Sequence, residues 1–303
     1  MDFDEILMVK AAWYYYMENM TQQEIAALLL ISRTRVIKLL EHARSSGVVQ
    51  FSIRHDKARY VETERELLNL YGLSDVLVAP SALKTENINE NVAKAAAMYI
   101  VNRLKKNDFI NVGYGDTSGK LLNQLATMAE HPLSCVSLTG GVNNYLPNAR
   151  SNVFNARLFL MPTPLVASSP EMAVAMRDEA SVREIFRMIK LAAMTAVGIG
   201  GMAASATILR EGLLNRGDFT LLQMQGAVGD ILSHFIDRKG GLVQTQIEDR
   251  LISTPLHVLK ELKNVIGVAA GYEKTEAIAA ALRGGYINIL ITDEATAKAL
   301  REA

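Results

Sequence analysis

The chain has 303 residues, half of them hydrophobic, with 32 basic against 32 acidic side chains. That length is expected to hold two domains and a sizeable core, and zero formal charge argues against a general polyanion binder. Cys135 is the only cysteine, which excludes an internal disulfide and a cysteine-built metal cage. The opening MDFDEILMVK is acidic and lacks the basic start and apolar core of a signal peptide, and no apolar run reaches the ~20 residues of a membrane span. A cytoplasmic protein that does not enter a membrane is expected.

Asp4 to Glu18 reads as a helix. Its Trp13 and its Tyr14-Tyr15-Tyr16 run are expected in core and interface packing rather than in a base-stacking platform. Two helix starts follow in quick succession. Thr21 and Glu24 have the form of a capping box, with Ile25, Leu28 and Leu29 on one face behind it. Ser32 offers a second N-cap, followed by Val36, Leu39, Leu40 and Ala43. Two short helices joined by a three-residue turn make a helix-turn-helix plan. In that motif the N-terminal end of the second helix meets base edges, and here it carries Ser32, Arg33, Thr34 and Arg35, with Lys38 one turn on. Those five are the candidate contacts to double-stranded DNA. From Arg33 to Lys57 there are six basic residues against two acidic, so the positive field is local. Gly47 suits a left-handed stop. Val48 to Ile53 is rich in strand formers and is expected as a wing that would bring Arg54 and Lys57 near a phosphate backbone.

Arg59 to Tyr71 alternates charged and apolar faces, with Val61, Leu67, Leu68 and Leu70 expected inward and Gly72 as the stop. It would join a head spanning 1–57 to a body spanning 58–303, packed on its own domain or against a second subunit.

In the body, β-rich runs that end in glycine or polar residues alternate with helical stretches. The runs are 74–79, 109–115, 135–141, 194–201, 265–271 and 286–293. Such spacing predicts an α/β, mainly parallel, doubly wound sheet whose ligand sits outside the carboxyl ends of the strands. Gly113-Tyr114-Gly115-Asp116-Thr117-Ser118-Gly119 lies at a strand-to-helix turn. There, backbone N–H groups and the helix N-terminus can meet an anion, or glycine simply serves a tight turn. The spacing is neither the dinucleotide fingerprint nor the phosphate loop of nucleotide hydrolases, so a small phosphorylated molecule is the better ligand. Asp230, after Gly226 and Gly229, can accept sugar hydroxyl hydrogens. Lys274, after Gly271, can offer a cation. Asp293 reads as the cap of the last helix. The five histidines show no metal-ligand spacing, no serine sits in a nucleophile elbow, and the 13 methionines are scattered. No catalytic residue, metal or cofactor is expected.

In order along the chain stand AAWYYYMENMTQQEIAALLLISRTRVIKLLEHARSSGVV, LTGG, VGIGG, GAVGDIL with FIDRKGG, VAAGYEK and GGYINILITDEATA. This set resembles the SorC family of bacterial sugar-responsive transcriptional regulators, with an effector domain nearest its LsrR-like branch. The resemblance implies a helix-turn-helix head, simple or winged, on a body similar to sugar-phosphate isomerases but without retained catalysis. It further implies a homotetramer built from dimers and a repressor released by a phosphorylated sugar or polyol. Carried over by motif, the effector residues would be Gly113 to Thr117, Gly140, Gly141, Gly200, Asp230 and Lys274. Two positions depart from the pattern. Leu30 stands in the turn where glycine is usual, and Val166 stands where the LsrR-like pattern has arginine. The alternative function is a sugar-phosphate isomerase-like enzyme with an appended DNA-binding head.

Overall fold

The computed structural model describes residues 3–49, 55–82, 87–141 and 156–303; of 55–59 it describes the backbone only. It divides into two units, Met1–Ala58 and Arg59–Ala303.

The first unit holds helices α1 (Phe3–Tyr16), α2 (Gln22–Leu29) and α3 (Arg33–Ser45). Their local starts follow from capping. The Thr21 oxygen accepts the Glu24 N–H at 3.3 Å, and the Glu24 carboxylate accepts the Thr21 N–H at 2.7 Å. Ser32 accepts the Arg35 N–H at 3.2 Å and opens α3. Between them Leu30 adopts φ 55°, ψ 40° and is 91 % exposed. The turn therefore takes the left-handed geometry that glycine would supply, and leucine bears its steric cost. Leu7, Met8, Ala11 and Ala12 of α1 pack against Ile25, Val36, Leu39, Leu40 and Ala43. Trp13 departs from expectation. It is 56 % exposed, because the buried stripe of α1 runs through 7, 8, 11 and 12, while Tyr14 to Tyr16 are partly buried. Residues 50–53 of the expected wing lie outside the described residues, as do Arg54 and the Lys57 side chain.

In the second unit, α4 (His55–Tyr71) leads into β1 (Asp75–Ala79), α5 (Ile88–Val101), β2 (Phe109–Val112), α6 (Asp116–Met128), β3 (Leu133–Ser137) and β4 (Ala156–Phe159). Then come α7 (Pro170–Asp178), α8 (Ala180–Leu191), β5 (Met194–Gly198), β6 (Gly200–Gly201), α9 (Thr207–Arg210) and α10 (Arg216–Met224). The chain continues through β7 (Ala227–Ile231), β8 (His234–Asp237), α11 (Leu256–Glu261), β9 (Val265–Val268), α12 (Thr275–Arg283), β10 (Ile289–Asp293) and α13 (Glu294–Leu300). Among the described residues the main sheet runs β1-β10-β9-β5-β2-β3-β4, with every pairing parallel. Strand side chains alternate between two cores. Ile110, Val112, Ala196, Ile266, Val268 and Ile291 meet α5 and α6 on one face; Val136, Val197, Val265 and Leu290 meet α8, α11 and α12 on the other. Each fully buried leucine or isoleucine contributes roughly 1.5–3 kcal/mol.

The α4 helix packs on its own unit. Tyr60 reaches Glu294, Glu64 accepts the Val78 N–H, and the Tyr71 hydroxyl donates to the Leu300 carbonyl. Leu67 is buried, whereas Val61 and Leu70, expected inward, are each 56 % exposed. Asp293 caps α13 by accepting the Thr296 N–H at 3.0 Å.

Two features were not expected. The edge strand β4 carried no readable pattern, and Gly226 to Asp230 belongs largely to a strand. There β6, β7 and β8 form an antiparallel ribbon. Its small separate core contains Ile208, Leu214, Phe219, Leu222, Ala227 and Phe235.

Candidate functional site

The loops that follow β2 and β5 leave the sheet in opposite directions, because β2 leads outward to β3 and β5 leads back to β9. Such a switch point opens a crevice at the strand ends. A cavity of about 420 Å³ occupies it, lined by the turn after β2, the glycines after β5, the α9 segment, and Asp230, Glu273 and Lys274. Its floor is the first turn of α6. Gly115, at φ 118°, turns the chain so that Asp116, Thr117 and Ser118 begin the helix at the cavity. Helix N-termini favour anions there.

Among the described residues, three cations line the same space: Lys120, Arg210 and Lys274. Lys120 donates to both Asp116 oxygens at 2.6 and 2.7 Å, and Asn89 donates to Asp116 at 2.7 Å. Burial works against the Asp116 charge, but the hydrogen bonds from Lys120 and Asn89 prevail and hold the carboxyl below its ordinary value. Lys274 is pushed below the usual lysine range by burial, against the pull of Asp116, Glu273 and Asp230. Asp230 is pushed up, also by burial, against the Ser233 N–H that it accepts at 3.1 Å and the Lys274 charge. Burial and its hydrogen bond to Glu211 raise the Tyr114 hydroxyl as well. Oppositely displaced titratable groups in one cleft are characteristic of functional sites.

Backbone geometry sets where Asp230 sits. The β6–β7 register puts Gly200 directly across from Asp230 and Gly201 across from Gly229. A Cβ on Gly200 would fall 1.9 Å from Asp230 Oδ1, and one on Gly229 would fall 2.4 Å from the Ala277 Cβ. The carboxylate therefore occupies the volume that any other residue at 200 would need.

Of the effector residues read from the sequence, Gly115, Asp116, Thr117, Gly200, Asp230 and Lys274 line the cavity. Gly113, Gly140 and Gly141 do not, among the described residues. Gly113 is closed in by Leu232 and Val197. Gly140 lies against Pro164, where a Cβ would meet the carbonyl oxygen at 2.2 Å, and the Gly141 N–H donates to the Thr163 carbonyl at 2.7 Å. Gly113 and Gly140 stand where the neighbouring chain comes close, and Gly141 takes a left-handed φ of 86°. Val166 pairs with Leu251 across an isolated bridge and does not line the cavity either. Tyr114, inside the Gly113 to Thr117 run, lines the cavity too, whereas sequence reasoning missed Lys120, Arg210 and Asn89. Only Lys120 carried a local signal, its i+4 spacing from Asp116 on a helix.

In the head, Ser32, Arg33, Thr34, Arg35 and Lys38 all stand on the first turns of α3 or its cap. Arg33 Nε contacts Gln22 Oε1 at 3.4 Å, and Arg35 Nη2 bonds Asp4 Oδ1 at 2.6 Å.

Comparison with known proteins joins these observations. Residues 56–301 match the family described as "Putative sugar-binding domain". The chain is 35 % identical over 301 residues to the transcriptional regulator LsrR of Enterobacter sp. strain 638, covering 98 % of this chain and 93 % of that protein. The chain belongs to the SorC family of transcriptional regulators. Its LsrR relative in Escherichia coli K12 is 33 % identical over 98 % of this chain and 95 % of the relative. The crystal structure of the full-length sorbitol operon regulator SorC from Klebsiella pneumoniae superimposes with a TM-score of 0.70 at 28 % identity, covering 99 % of this chain and all of that one. The structure described as "Putative Sugar-Binding Domain of Transcriptional Repressor from Vibrio fischeri" shares the fold over 80 % of this chain and all of that one, with TM-score 0.72 at 23 % identity. Membership in the SorC family thus extends over both units. Among the described residues, no helix is long and apolar enough to cross a membrane.

Proposed function

We propose that this protein binds double-stranded operator DNA through α3 and releases it when a small phosphorylated sugar or polyol fills the cavity at the strand ends. One observation carries the reading: the α6 N-terminus, three cations and two displaced carboxylates converge on a single cavity. A phosphate suits the helix N-terminus with Lys120, Arg210 and Lys274, and hydroxyl groups suit Asp230. Ligand control requires that the effector bind the DNA-incompetent arrangement more tightly than the competent one. The assembly is a homotetramer of two dimers, so that paired heads read symmetric half-sites. The cavity binds and does not turn over its ligand; the relatives at 33–35 % identity are transcriptional regulators.

The test combines two variant pairs. Asp230→Ala and Lys274→Ala should abolish the thermal shift produced by a panel of phosphorylated sugars and polyols while DNA binding persists. Arg33→Ala and Arg35→Ala should each weaken DNA binding, by about 1–3 kcal/mol where the arginine reads guanine, and leave the shift intact. Unchanged gel-shift behaviour in both arginine variants refutes the head assignment. Interconversion of pentose or hexose phosphates by the wild type refutes the non-catalytic reading.

A further inference from the structure

An acidic side chain stands where a polyanion is expected to dock. Asp4, in the first turn of α1, holds Arg35 at the third position of α3 through a single bond, Nη2 to Oδ1 at 2.6 Å. Both side chains stay open to solvent, at 49 % for Arg35 and 65 % for Asp4. Together with Ser32, Thr34 and Lys38 they line one concavity of the head, with Asp4 on the α1 wall and the others on the α3 wall. An exposed pair of this kind adds little to stability. Near a phosphate backbone a carboxylate is also unfavourable for non-specific DNA affinity. A carboxylate in the first turn of α1 does favour that helix, but neither that nor attraction to DNA requires its bond to Arg35.

We infer that Asp4 is a positioning and specificity-determining residue that turns Arg35 from a phosphate binder into a base reader. The inference rests on the reading of α3 as the DNA-contacting helix. Three physical points support it. An arginine fork has five N–H donors, and the bond to Asp4 engages Nη2 only, so donors remain for a two-point contact to guanine O6 and N7. A free arginine side chain loses much rotamer freedom when it docks on a base, and a side chain already held by a neighbour loses less. Finally, the adjacent carboxylate offsets the arginine's charge. That weakens its attraction to any phosphate, which is the sequence-independent part of binding, more than its directional bonds to a base edge.

Arg33, two residues earlier, is tethered differently: its partner is the neutral amide of Gln22, across α2. Among the described residues no carboxylate pairs with Arg33, so it keeps its charge for phosphate. The two arginines thus divide the labour, and the division is set by which helix supplies the acceptor.

The experiment uses the full-length protein and a randomised duplex library. Wild-type protein first enriches a preferred sequence. Affinities for that duplex and for a scrambled duplex are then measured across a salt series for wild type, Asp4→Asn and Asp4→Glu, and for Asp4→Asn in an Arg35→Lys background. In Asp4→Asn, binding to the scrambled duplex should tighten, with a salt slope steeper by about one unit. The ratio of preferred to scrambled affinity should fall about tenfold. Asp4→Glu keeps the charge and should keep the ratio within about threefold. With Lys at 35 there is no fork to position, so Asp4→Asn should leave the ratio unchanged. A ratio that stays constant in Asp4→Asn overturns the inference and makes Asp4 a mere local charge. So does an equal fall in the Arg35→Lys background, which would mean that Asp4 acts without Arg35. A wild type that enriches no sequence overturns the DNA-reading assignment beneath it.

Discussion

Replacing Gly200 by alanine perturbs the effector cavity through one atom. The added Cβ would lie 1.9 Å from Asp230 Oδ1 and 3.0 Å from its carboxyl carbon. Contacts under 3.0 Å are essentially never made by a real Cβ, so the carboxylate must retreat by at least about 1 Å. Asp230 is half-buried and faces the cavity, so the carboxylate can move, but moving it breaks the bond it accepts from the Ser233 N–H at 3.1 Å. Loss of that charge-assisted bond costs about 1.5–3 kcal/mol. The variant should therefore melt lower and lose its response to phosphorylated sugars by tenfold or more in apparent affinity, while the head keeps its DNA binding. Gly198→Ala provides the matched control. Its Cβ would meet Ser118 Oγ at 3.6 Å and the Tyr114 carbonyl at 3.8 Å, which are ordinary contacts. It lines the same cavity and should leave stability and response nearly unchanged. Thermal shift and calorimetric titration against the same sugar-phosphate panel check both. Equal behaviour of the two variants would refute the argument that Gly200 exists to make room for Asp230.

Two further predictions concern the turn of the head and the charge of the cavity. Leu30→Gly removes the steric cost of a left-handed leucine and adds unfolded-state entropy, for a net gain of about 0.5–1 kcal/mol; chemical denaturation of the head measures it, and a loss of stability would mean that the exposed leucine makes contacts of its own. The second prediction is a pH dependence. Burial holds the Lys274 ammonium below the ordinary value of 10.5, so the folded protein gives up that proton before the unfolded chain does. As pH rises through this window the unfolded chain binds more protons, and the ligand-free fold gains stability. The same deprotonation removes a cation from the anion site, so affinity for a phosphorylated ligand should fall with rising pH, beginning below the ordinary lysine range. Calorimetry from about pH 7 to 10 reads this directly, and a flat profile would sink the role of Lys274 as a charged contact.

Much of the head was legible because its determinants are local. Thr21 with Glu24, Ser32 with Arg35 and the left-handed turn at Leu30 are each settled within about four residues. The same holds for the Asp293 cap and for the glycine at 115 that starts α6. The alternation of apolar runs and helical stretches likewise dictated a parallel sheet covered on both faces, since strands buried on both sides must be apolar throughout.

The tertiary structure decided what depended on distant partners. Which face of α4 is inward follows from β1 and α13, so Val61 and Leu70 ended in solvent although they are apolar. Glycine alone does not say whether it faces a ligand or another backbone. Gly115 and Gly200 line the cavity, whereas Gly113 and Gly140 are closed in by neighbouring chain. Asn89 and Arg210 stand 121 residues apart by their numbering and meet on the same cavity, and Asp4 meets Arg35 across 31 residues. Capping and periodicity act within a few residues, so the sequence by itself determined the elements and their order. The cavity and the held arginine arise from contacts that only the packed sheet and the packed head bring together.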